Sequence, residues 1–427
     1  MNTVWSMAER PTKRRRFAQE DPLSDVPKTL PSADYNTLST ICKFLTAPER
    51  FRLHVCRALT DALTHRVEWH TLHVGLRTLE IPLQTMSPHL LSVVDVALPI
   101  SLAPHGTYSG IFSLPNLRSL RVNFTGHSTE GQLRPFCLNQ SYLSDLCITA
   151  NHARDLPRIR LGPNLPLKRL YLSRVFANGL HVDRPYLEHL VMDCVRQSYD
   201  DFDFDLGVMP NLRTLEYTAS HGWMSTRNLP DLSKMKALQK LHWIGHPAAD
   251  ADINSPAGLL NLTHLTLGHV RVNFDISTLQ KLQELDLRQG SYPTVRCSSP
   301  MPSVKRVTFS HANIRDNCFL YQFPNVTYLY IRECELDTLS GIDTCRSLYS
   351  VAVLHAYCNS LDVSALGACQ KLEYAWFNNC RVLRHEALAR CSLLRTVHFV
   401  NCKVTTSTAL KNSHIEVCYY GQKSFDF

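Results

Sequence analysis

The hydrophobic positions of this chain follow one recurring pattern over most of its length. An apolar residue is followed by two variable residues, a second apolar residue, one variable residue and a third apolar residue. Clear copies begin at Leu76, Leu117, Leu143, Leu167, Leu187, Leu212, Leu238, Leu262, Leu282, Val304, Val326, Leu348, Leu372 and Leu394. Weaker copies begin at Leu91 and Ile415, and from Leu117 the clear starts advance by 20 to 26 residues. This regular interval predicts a repeated structural unit.

Each copy has the polarity of a short, half-buried strand. Its last two apolar positions alternate with polar ones, which is the side-chain period of a β-strand. One such strand cannot bury its apolar side alone, but stacked copies form a parallel sheet over a shared core. Each buried Leu or Ile stabilises this core by roughly 1.5–3 kcal/mol. The intervening segments, such as DISTLQK (275–281) and DVSALGACQK (362–371), are predicted to form short helical or irregular turns.

The core L-x-x-L-x-L at this interval resembles the leucine-rich repeat. The resemblance implies an α/β solenoid, a leucine-rich-repeat horseshoe of about 14–16 repeats over residues 76–427. In such repeats the strands line the concave face and the turns cover the convex side.

Six of the 15 cysteines lie at fixed positions of the repeat. Three of them (Cys334, Cys380 and Cys402) follow the first apolar residue of their copy by eight positions. The other three (Cys345, Cys369 and Cys391) precede the next copy by three positions. Zinc sites favour close C-x-x-C pairs, and the sequence has none. We therefore interpret these cysteines as buried structural thiols.

Residues 1–28 differ from the rest of the chain. They are polar, contain several prolines and show no hydrophobic period, which is typical of a disordered arm. Four consecutive basic residues (Lys13, Arg14, Arg15 and Arg16) have the composition of a nuclear-import signal. The alternative is a solvated run of charges with no receptor.

Residues 29–75 have a helical pattern instead. Ser32 is a plausible N-cap for a first helix, and Thr46 with Glu49 forms a capping box for a second. Pro48 lies in the first turn of the second helix, where its missing N–H group is tolerated. These features predict a small all-α module in front of the repeats.

The same module resembles an F-box. The residues that carry the resemblance are Leu30-Pro31, Phe44-Leu45, Val55-Cys56-Arg57 and Trp69, in the usual order. Two positions depart from the usual pattern, since the acidic residue is displaced to Asp34 and Leu59 replaces a common aromatic. An F-box followed by leucine-rich repeats is similar to the architecture of F-box repeat proteins, in which the repeats select a target for a cullin ubiquitin ligase.

By this resemblance, seven residues contribute to docking a Skp-type adaptor or to the core beneath it: Leu30, Pro31, Leu38, Ile41, Leu45, Val55 and Cys56. The alternative is that the module only caps the first edge of the solenoid, whose apolar side must be covered. The two roles are compatible.

The composition narrows the possible functions. The net charge of +8 includes five positive charges between Arg10 and Arg16, so the remaining chain is nearly balanced and nucleic-acid binding is not expected. We find no secretory signal and no apolar span long enough for a bilayer, which predicts a cytoplasmic or nuclear protein without membrane contact. The sequence contains no phosphate loop, nucleophile elbow or paired catalytic set, so we expect neither an enzyme nor a cofactor or metal site.

The predicted partner site lies on the concave face of the C-terminal repeats. There, the polar positions that flank the apolar pair of each strand carry aromatic residues and an arginine, which are enriched at interface hot spots. The predicted contact residues are Tyr328, Tyr330, Arg332, Tyr374, Trp376, His398 and Tyr419. We therefore predict a non-catalytic protein-interaction module, with a protein target on the repeats and a Skp-type adaptor and cullin at the F-box. The alternative is a leucine-rich-repeat scaffold, in the nucleus or elsewhere, with no ubiquitin-ligase connection.

Overall fold

A computed structural model describes most of the repeat region, and all described residues lie in one compact unit, Glu68–Phe427. The described residues are 71–74, 93–99, 117–125, 136–138, 141–150, 158–178, 180, 182–195, 206, 208–219, 232–245, 251–253, 259–272, 274–288, 297–311, 317–336, 338–356, 360–404, 408–411 and 413–421. The predicted arm (1–28) and almost all of the predicted F-box-like module (29–75) lie outside them.

Sixteen parallel strands form one continuous sheet. In spatial order they are β1 (Thr71–Val74), β2 (Val93–Pro99), β3 (Ser119–Thr125), β5 (Asp145–Ala150), β7 (Arg169–Ser173), β9 (His189–Asp193), β10 (Thr214–Thr218), β11 (Lys240–Ile244), β13 (His264–Gly268), β15 (Glu284–Arg288), β16 (Arg306–Ser310), β17 (Tyr328–Arg332), β18 (Ser350–Leu354), β20 (Tyr374–Asn378), β22 (Thr396–Val400) and β24 (Glu416–Tyr420). Every copy from Leu117 onward contributes one strand, as predicted.

The sheet begins earlier than the predicted boundary at residue 76. Strand β1 lies within the range assigned to the helical module, and it pairs directly with β2 through Thr71 and Val93. In the sequence, Trp69, Leu72 and Val74 have the spacing of the repeat triplet, whereas Trp69 and the copy at Leu76 lie outside the described residues. Apart from strand β1, the predicted boundary at residue 76 stays a prediction.

The predicted apolar triplets build the core. The first apolar residue of every copy from Leu117 to Leu394 is at most 1% exposed. The second and third residues of these copies are at most 4% exposed. Even the large third residues Tyr217 and Trp243 are inside, stacked with ring centroids 4.3 Å apart. The stacked columns therefore form the continuous core that the pattern predicts.

Short elements cover the side of the core opposite the sheet. They include 3-10 helices at Leu232–Lys234, Ile276–Thr278, Asn317–Gln322, Ile342–Thr344, Ser364–Ala368 and His385–Arg390, and a short α-helix, α1 (Thr408–Lys411). The remaining strands pair in three small parallel sheets: β4 (Phe136–Leu138), β6 (Arg158–Leu161) and β8 (Phe176–Asn178); β12 (Ala251–Ile253) and β14 (Val270–Val272); β19 (Leu361–Asp362), β21 (Arg381–Leu383) and β23 (Lys403–Val404). The predicted turns at 275–281 and 362–371 are confirmed as 3-10 helices. Within the described segments, no helix is long and apolar enough to cross a membrane.

Many main-sheet strands are followed directly by a residue with left-handed backbone conformation. The residues at this position with positive φ are Arg174, Cys194, His269, His311, Glu333, His355, Asn379 and Asn401, with φ between 51° and 56°. The amides of most of these residues donate to the neighbouring repeat, as when the His355 N–H donates to the Asn378 carbonyl at 2.7 Å. A hydrogen bond from the amide to the next repeat offsets part of the backbone strain that a non-glycine residue incurs in the left-handed conformation.

The repeat-locked cysteines are buried, as predicted: all six are at most 5% exposed. Three of them connect adjacent repeats, because each thiol donates to a carbonyl of the preceding repeat. Cys345 reaches Phe323 at 3.4 Å, Cys369 reaches Ile342 at 3.4 Å and Cys391 reaches Leu366 at 3.1 Å. Burial raises the pKa of Cys369 to about 12, which keeps this thiol protonated and unreactive.

Asp275 caps one of the 3-10 helices and also contacts the next repeat. Its carboxylate accepts the Ser277 amide at 2.9 Å and the Ser298 amide at 3.2 Å. Partial burial acts to raise the pKa of Asp275, but the hydrogen bonds from Ser298 and Ser277 outweigh it and lower the pKa to about 2.

We expect Asp275→Ala to lower the free energy of unfolding by about 1–2 kcal/mol at pH 7, the usual contribution of such a cap. Because the pKa of the folded state lies below the unfolded value of about 3.9, the charged cap stabilises the protein above pH 4 and loses its effect toward pH 2. Urea unfolding at pH 7 and pH 3 measures this. Asp343→Ala, at an exposed acidic residue of a similar helix, is the control. An Asp275→Ala effect as large at pH 3 as at pH 7 would contradict the charge-based explanation.

Candidate interaction surface

The side of the main sheet that faces away from the core carries three parallel rows of side chains. In the central row the register aligns Thr308, Tyr330, Ala352, Trp376, His398 and Cys418 on successive strands. Strand residues two positions before and after these form the flanking rows. Side chains on this face are partly or fully exposed while their neighbours along each strand are buried. We call this side the sheet face.

Tyr419 does not belong to the central row, and its predicted place was wrong. The register aligns Tyr419 with the buried Phe399, whereas Cys418 is aligned with His398. A shift of one residue moves a strand side chain to the opposite side of the sheet. The error arose because the pattern was counted from Ile415, one residue late. Tyr419 stacks on Phe399 with ring centroids 5.6 Å apart and remains 42% exposed on the last strand of the sheet.

The same shift brings Tyr420 to the sheet face. Tyr420 is aligned with Val400 in a flanking row, and its ring stacks on His398 at 6.0 Å between centroids. His398 in turn lies 5.0 Å from the ring of Trp376. Three aromatic side chains therefore form a continuous series across β20, β22 and β24. Tyr420 was not among the predicted contact residues, and only the frame given by the register places it on this face.

A second aromatic cluster lies at the start of the neighbouring strands. The ring of Tyr349 meets Tyr328 at 5.7 Å and Tyr374 at 5.4 Å, edge-on in both cases. On the other side of Tyr328, the Arg306 guanidinium lies 5.3 Å from the ring centroid. Tyr349 directly precedes β18, outside the positions considered in the sequence, so the pattern gave no reason to select it. It brings Tyr328 and Tyr374, both predicted contact residues, into one cluster.

The other predicted contact residues adjoin these clusters. Tyr330 lies in the central row, and partial burial raises the pKa of its hydroxyl, which keeps it uncharged. Arg332 ends β17 with its side chain half exposed, and its guanidinium pairs with Glu333 at 3.0 Å. Two polar atoms on this part of the face, Asn378 Oδ1 and His398 Nδ1, are buried and have no hydrogen-bond partner among the described residues.

The sheet face of the earlier repeats is dominated by charges that pair with each other. Arg169 pairs with Asp145, and Lys240 pairs with Glu216 at 2.6 Å. Further along, Arg288 pairs with Asp286 at 2.6 Å and Arg306 with Glu284 at 2.8 Å. Exposed pairs of this kind contribute little to stability. Because each pair joins opposite charges, this part of the sheet face has no large area of a single sign of charge.

The described repeats contain no group of three His, Cys, Asp or Glu side chains that could hold a metal ion. The predicted adaptor-docking residues and the basic cluster at 13–16 lie outside the described segments. The candidate interaction surface is the aromatic part of the sheet face, on the main-sheet strands from β17 to β24.

No protein-family model matches the sequence, and no curated protein matches it at a significant level. Among solved structures, the chain is similar to TLR13 in a complex with ssRNA13, at 11% identity and a TM-score of 0.50, over 85% of this chain and 59% of that one. It is also similar to a leucine-rich-repeat protein of Leptospira interrogans, at 15% identity, a TM-score of 0.47, and 81% and 100% coverage. An internalin of Listeria monocytogenes follows at 16% identity, a TM-score of 0.46, and 66% and 82% coverage. At these identities the likeness concerns the fold alone, and the described unit is a leucine-rich-repeat solenoid.

Proposed function

We propose that this protein is a non-catalytic recognition protein whose repeats bind a protein target on strands β17 to β24 of the sheet face. One observation carries the proposal: exposed aromatic side chains are concentrated on this part of the face, while the earlier repeats carry paired charges. Tyr, Trp and Arg are the residues enriched at the energetic centre of protein interfaces.

The aromatic rings are already held in place before any partner binds. Tyr328, Tyr349 and Tyr374 contact one another, and Trp376, His398 and Tyr420 form the second series. Side chains fixed by mutual packing lose little conformational entropy on binding, which favours affinity. Charge also supports a protein target over a nucleic acid, because the carboxylates and guanidinium groups of this region pair with each other and leave little net charge to attract phosphates.

We further propose that residues 29–75 contain an F-box-like module that docks a Skp-type adaptor and so connects the bound target to a cullin ubiquitin ligase. The support is the order of the sequence motifs, from Leu30-Pro31 through Val55-Cys56-Arg57, ahead of the repeats. The competing proposal is a leucine-rich-repeat scaffold that has no ligase connection and is imported into the nucleus through Lys13, Arg14, Arg15 and Arg16. It rests on the basic cluster alone.

The target proposal predicts the effect of removing two aromatic side chains. We expect the double variant Trp376→Ala/Tyr330→Ala to lose the target, because each hot-spot residue contributes about 2 kcal/mol or more, roughly thirtyfold in affinity. Affinity capture from cell lysate followed by mass spectrometry measures this, with circular dichroism to verify the fold. The matched control is Tyr171→Ala, since Tyr171 lies in the central row of β7 and is 38% exposed. Unchanged capture by a folded double variant would refute the site.

The same capture separates the ligase from the scaffold. The full chain is expected to recover a Skp-type adaptor and a cullin, and a variant lacking residues 29–75 is expected to lose both. The double variant should lose the target and keep the adaptor. Since the deletion also removes strand β1, the substitutions Leu30→Ala and Val55→Asp in the full chain provide a second comparison. Recovery of neither adaptor nor cullin by the full chain would favour the scaffold.

A further inference from the structure

A gap interrupts the aromatic rows of the sheet face at β18. The three residues of this strand that face outward are Ser350, Ala352 and Leu354, and all three are partly exposed. In the central row, Ala352 lies between Tyr330 on β17 and Trp376 on β20. In the row before it, Ser350 lies between Tyr328 and Tyr374 in the same way. Ser350 and Ala352 thus form a floor of small side chains between two aromatic walls, and we call this gap the Ala352 slot.

One end of the slot is closed. The Tyr349 ring, directly before β18, touches both walls edge-on, at 5.7 Å from Tyr328 and 5.4 Å from Tyr374. The other end opens past Leu354 between Arg332 and Asn378, which the register aligns with it. A bound chain would therefore enter at the Leu354 end and run along the strand direction.

The dimensions suit a single flat ring. The two walls stand on strands separated by one intervening strand, so their backbones are about 9.5 Å apart. A ring between two aromatic side chains needs two van der Waals contacts of about 3.5–4.0 Å each. Between Ser350 and Ala352 the floor is about 6.6 Å long. This is the length of about two residues of an extended polyproline II helix.

The charges around the slot disfavour an ionic ligand. Arg306 already occupies the outer side of Tyr328. The nearby carboxylates are already paired, Glu373 with Arg395 at 3.0 Å and Glu333 with Arg332 at 3.0 Å. The slot therefore suits a neutral ring in preference to a cation or a phosphate.

Several polar groups at the rim can donate hydrogen bonds. The tyrosine hydroxyls and the Ser350 hydroxyl can donate, and the Arg332 guanidinium can only donate. A polyproline segment is the peptide that matches such a rim, because its carbonyls lack internal hydrogen bonds and its prolines have no N–H group to satisfy. Aromatic-lined grooves bind such segments because the extended helix is formed before binding.

We propose that the Ala352 slot receives a proline ring of a proline-rich segment of the protein target. This inference rests on the proposed function, since it names the kind of segment that the aromatic strands bind. The proline lies between Tyr330 and Trp376, and its neighbouring carbonyls accept hydrogen bonds from the rim.

The test uses the full chain and fluorescein-labelled decaproline, with fluorescence anisotropy as the measurement. We expect saturable binding to the wild type and at least about tenfold weaker binding to Ala352→Leu, whose side chain fills the slot without removing an aromatic residue. The matched control is Thr308→Leu, which adds the same side chain to the same row on β16 and should bind decaproline as the wild type does. If Ala352→Leu does not fold, Tyr374→Ala replaces it, because this wall residue is 39% exposed and its removal spares the core.

Absence of decaproline binding to the wild type, or equal binding to the slot-filled variant, would overturn the proposal. Binding of a single-stranded uridine decamer or of tetramethylammonium that Ala352→Leu abolishes would also overturn it, since the slot would then stack bases or hold a cation. These results differ from failure of the proposed function. A target lost by the Trp376→Ala/Tyr330→Ala variant but retained by Ala352→Leu would keep the aromatic surface as the target site and reject the slot alone.

Discussion

Replacing Cys369 with aspartate is expected to lower the free energy of unfolding by about 3–5 kcal/mol, because an unpaired charge would be left inside the core. Cys369 is fully buried, and its thiol donates to the Ile342 carbonyl of the preceding repeat at 3.4 Å. A carboxylate at this place would face that carbonyl oxygen and would have to take up a proton or open the repeat.

Cys369→Ser provides the matched comparison. Its hydroxyl can donate to the same carbonyl, so the expected loss is only about 1 kcal/mol, the order of the net value of one hydrogen bond. Cys147→Asp is the positional control, because Cys147 lies partly exposed on the sheet face of β5. Chemical denaturation measures all three variants. Equal stability of Cys369→Asp and Cys369→Ser would show that the interior of this repeat is accessible to water.

The second large effect is expected for Phe377→Ala, which should cost about 3–5 kcal/mol through lost apolar contact and the cavity left behind. Phe377 is fully buried and stacks on Phe399 with ring centroids 5.5 Å apart. Phe399 also touches the buried His385 edge-on at 5.9 Å, so one cavity loosens several neighbours.

Each repeat contacts only its neighbours, so this loss should be local at first. We expect amide hydrogen exchange to accelerate from β20 to β24 and to stay unchanged in the repeats before β16. Phe377→Leu, which keeps most of the volume, is the control and should cost clearly less. Uniform acceleration over the whole solenoid would show that the repeats unfold as one cooperative unit.

The two faces of β20 explain why binding and stability can be changed separately. Phe377 belongs to the core, whereas the adjacent Trp376 points to the sheet face. Substitutions on the sheet face are therefore expected to change affinity while the fold remains, which makes capture experiments with Trp376 and Tyr330 variants interpretable. The same geometry allows Ala352→Leu to fill the slot without disturbing Val351 or Val353 beneath it.

Most of the repeat region could be predicted from the sequence because the relevant signal is local. Leu117, Leu120 and Val122 show the spacing of a half-buried strand within six residues, and their burial follows from this spacing alone. The cysteine positions could be read in the same way, since they recur with the triplet. The prediction failed where the triplet is imperfect, at Ile415.

Other features depend on residues that are far apart in the chain. The cluster of Tyr328, Tyr349 and Tyr374 joins three repeats, and no local pattern shows that these rings meet. The left-handed residue after many strands, such as His355, donates a backbone hydrogen bond to the next repeat. Its residue type varies from repeat to repeat, so the sequence does not mark the position.

The sequence by itself determined the repeat, the parallel sheet, the identity of the core and the aromatic character of the last strands. Only the tertiary structure decided which side chains are neighbours across the strands: Tyr420 and not Tyr419 beside His398, Tyr349 between two walls, and Ala352 as a gap between Tyr330 and Trp376. The physical reason is that burial follows from the period within one strand, whereas a binding surface follows from the register between strands, and a shift of one residue in that register moves a side chain from one side of the sheet to the other.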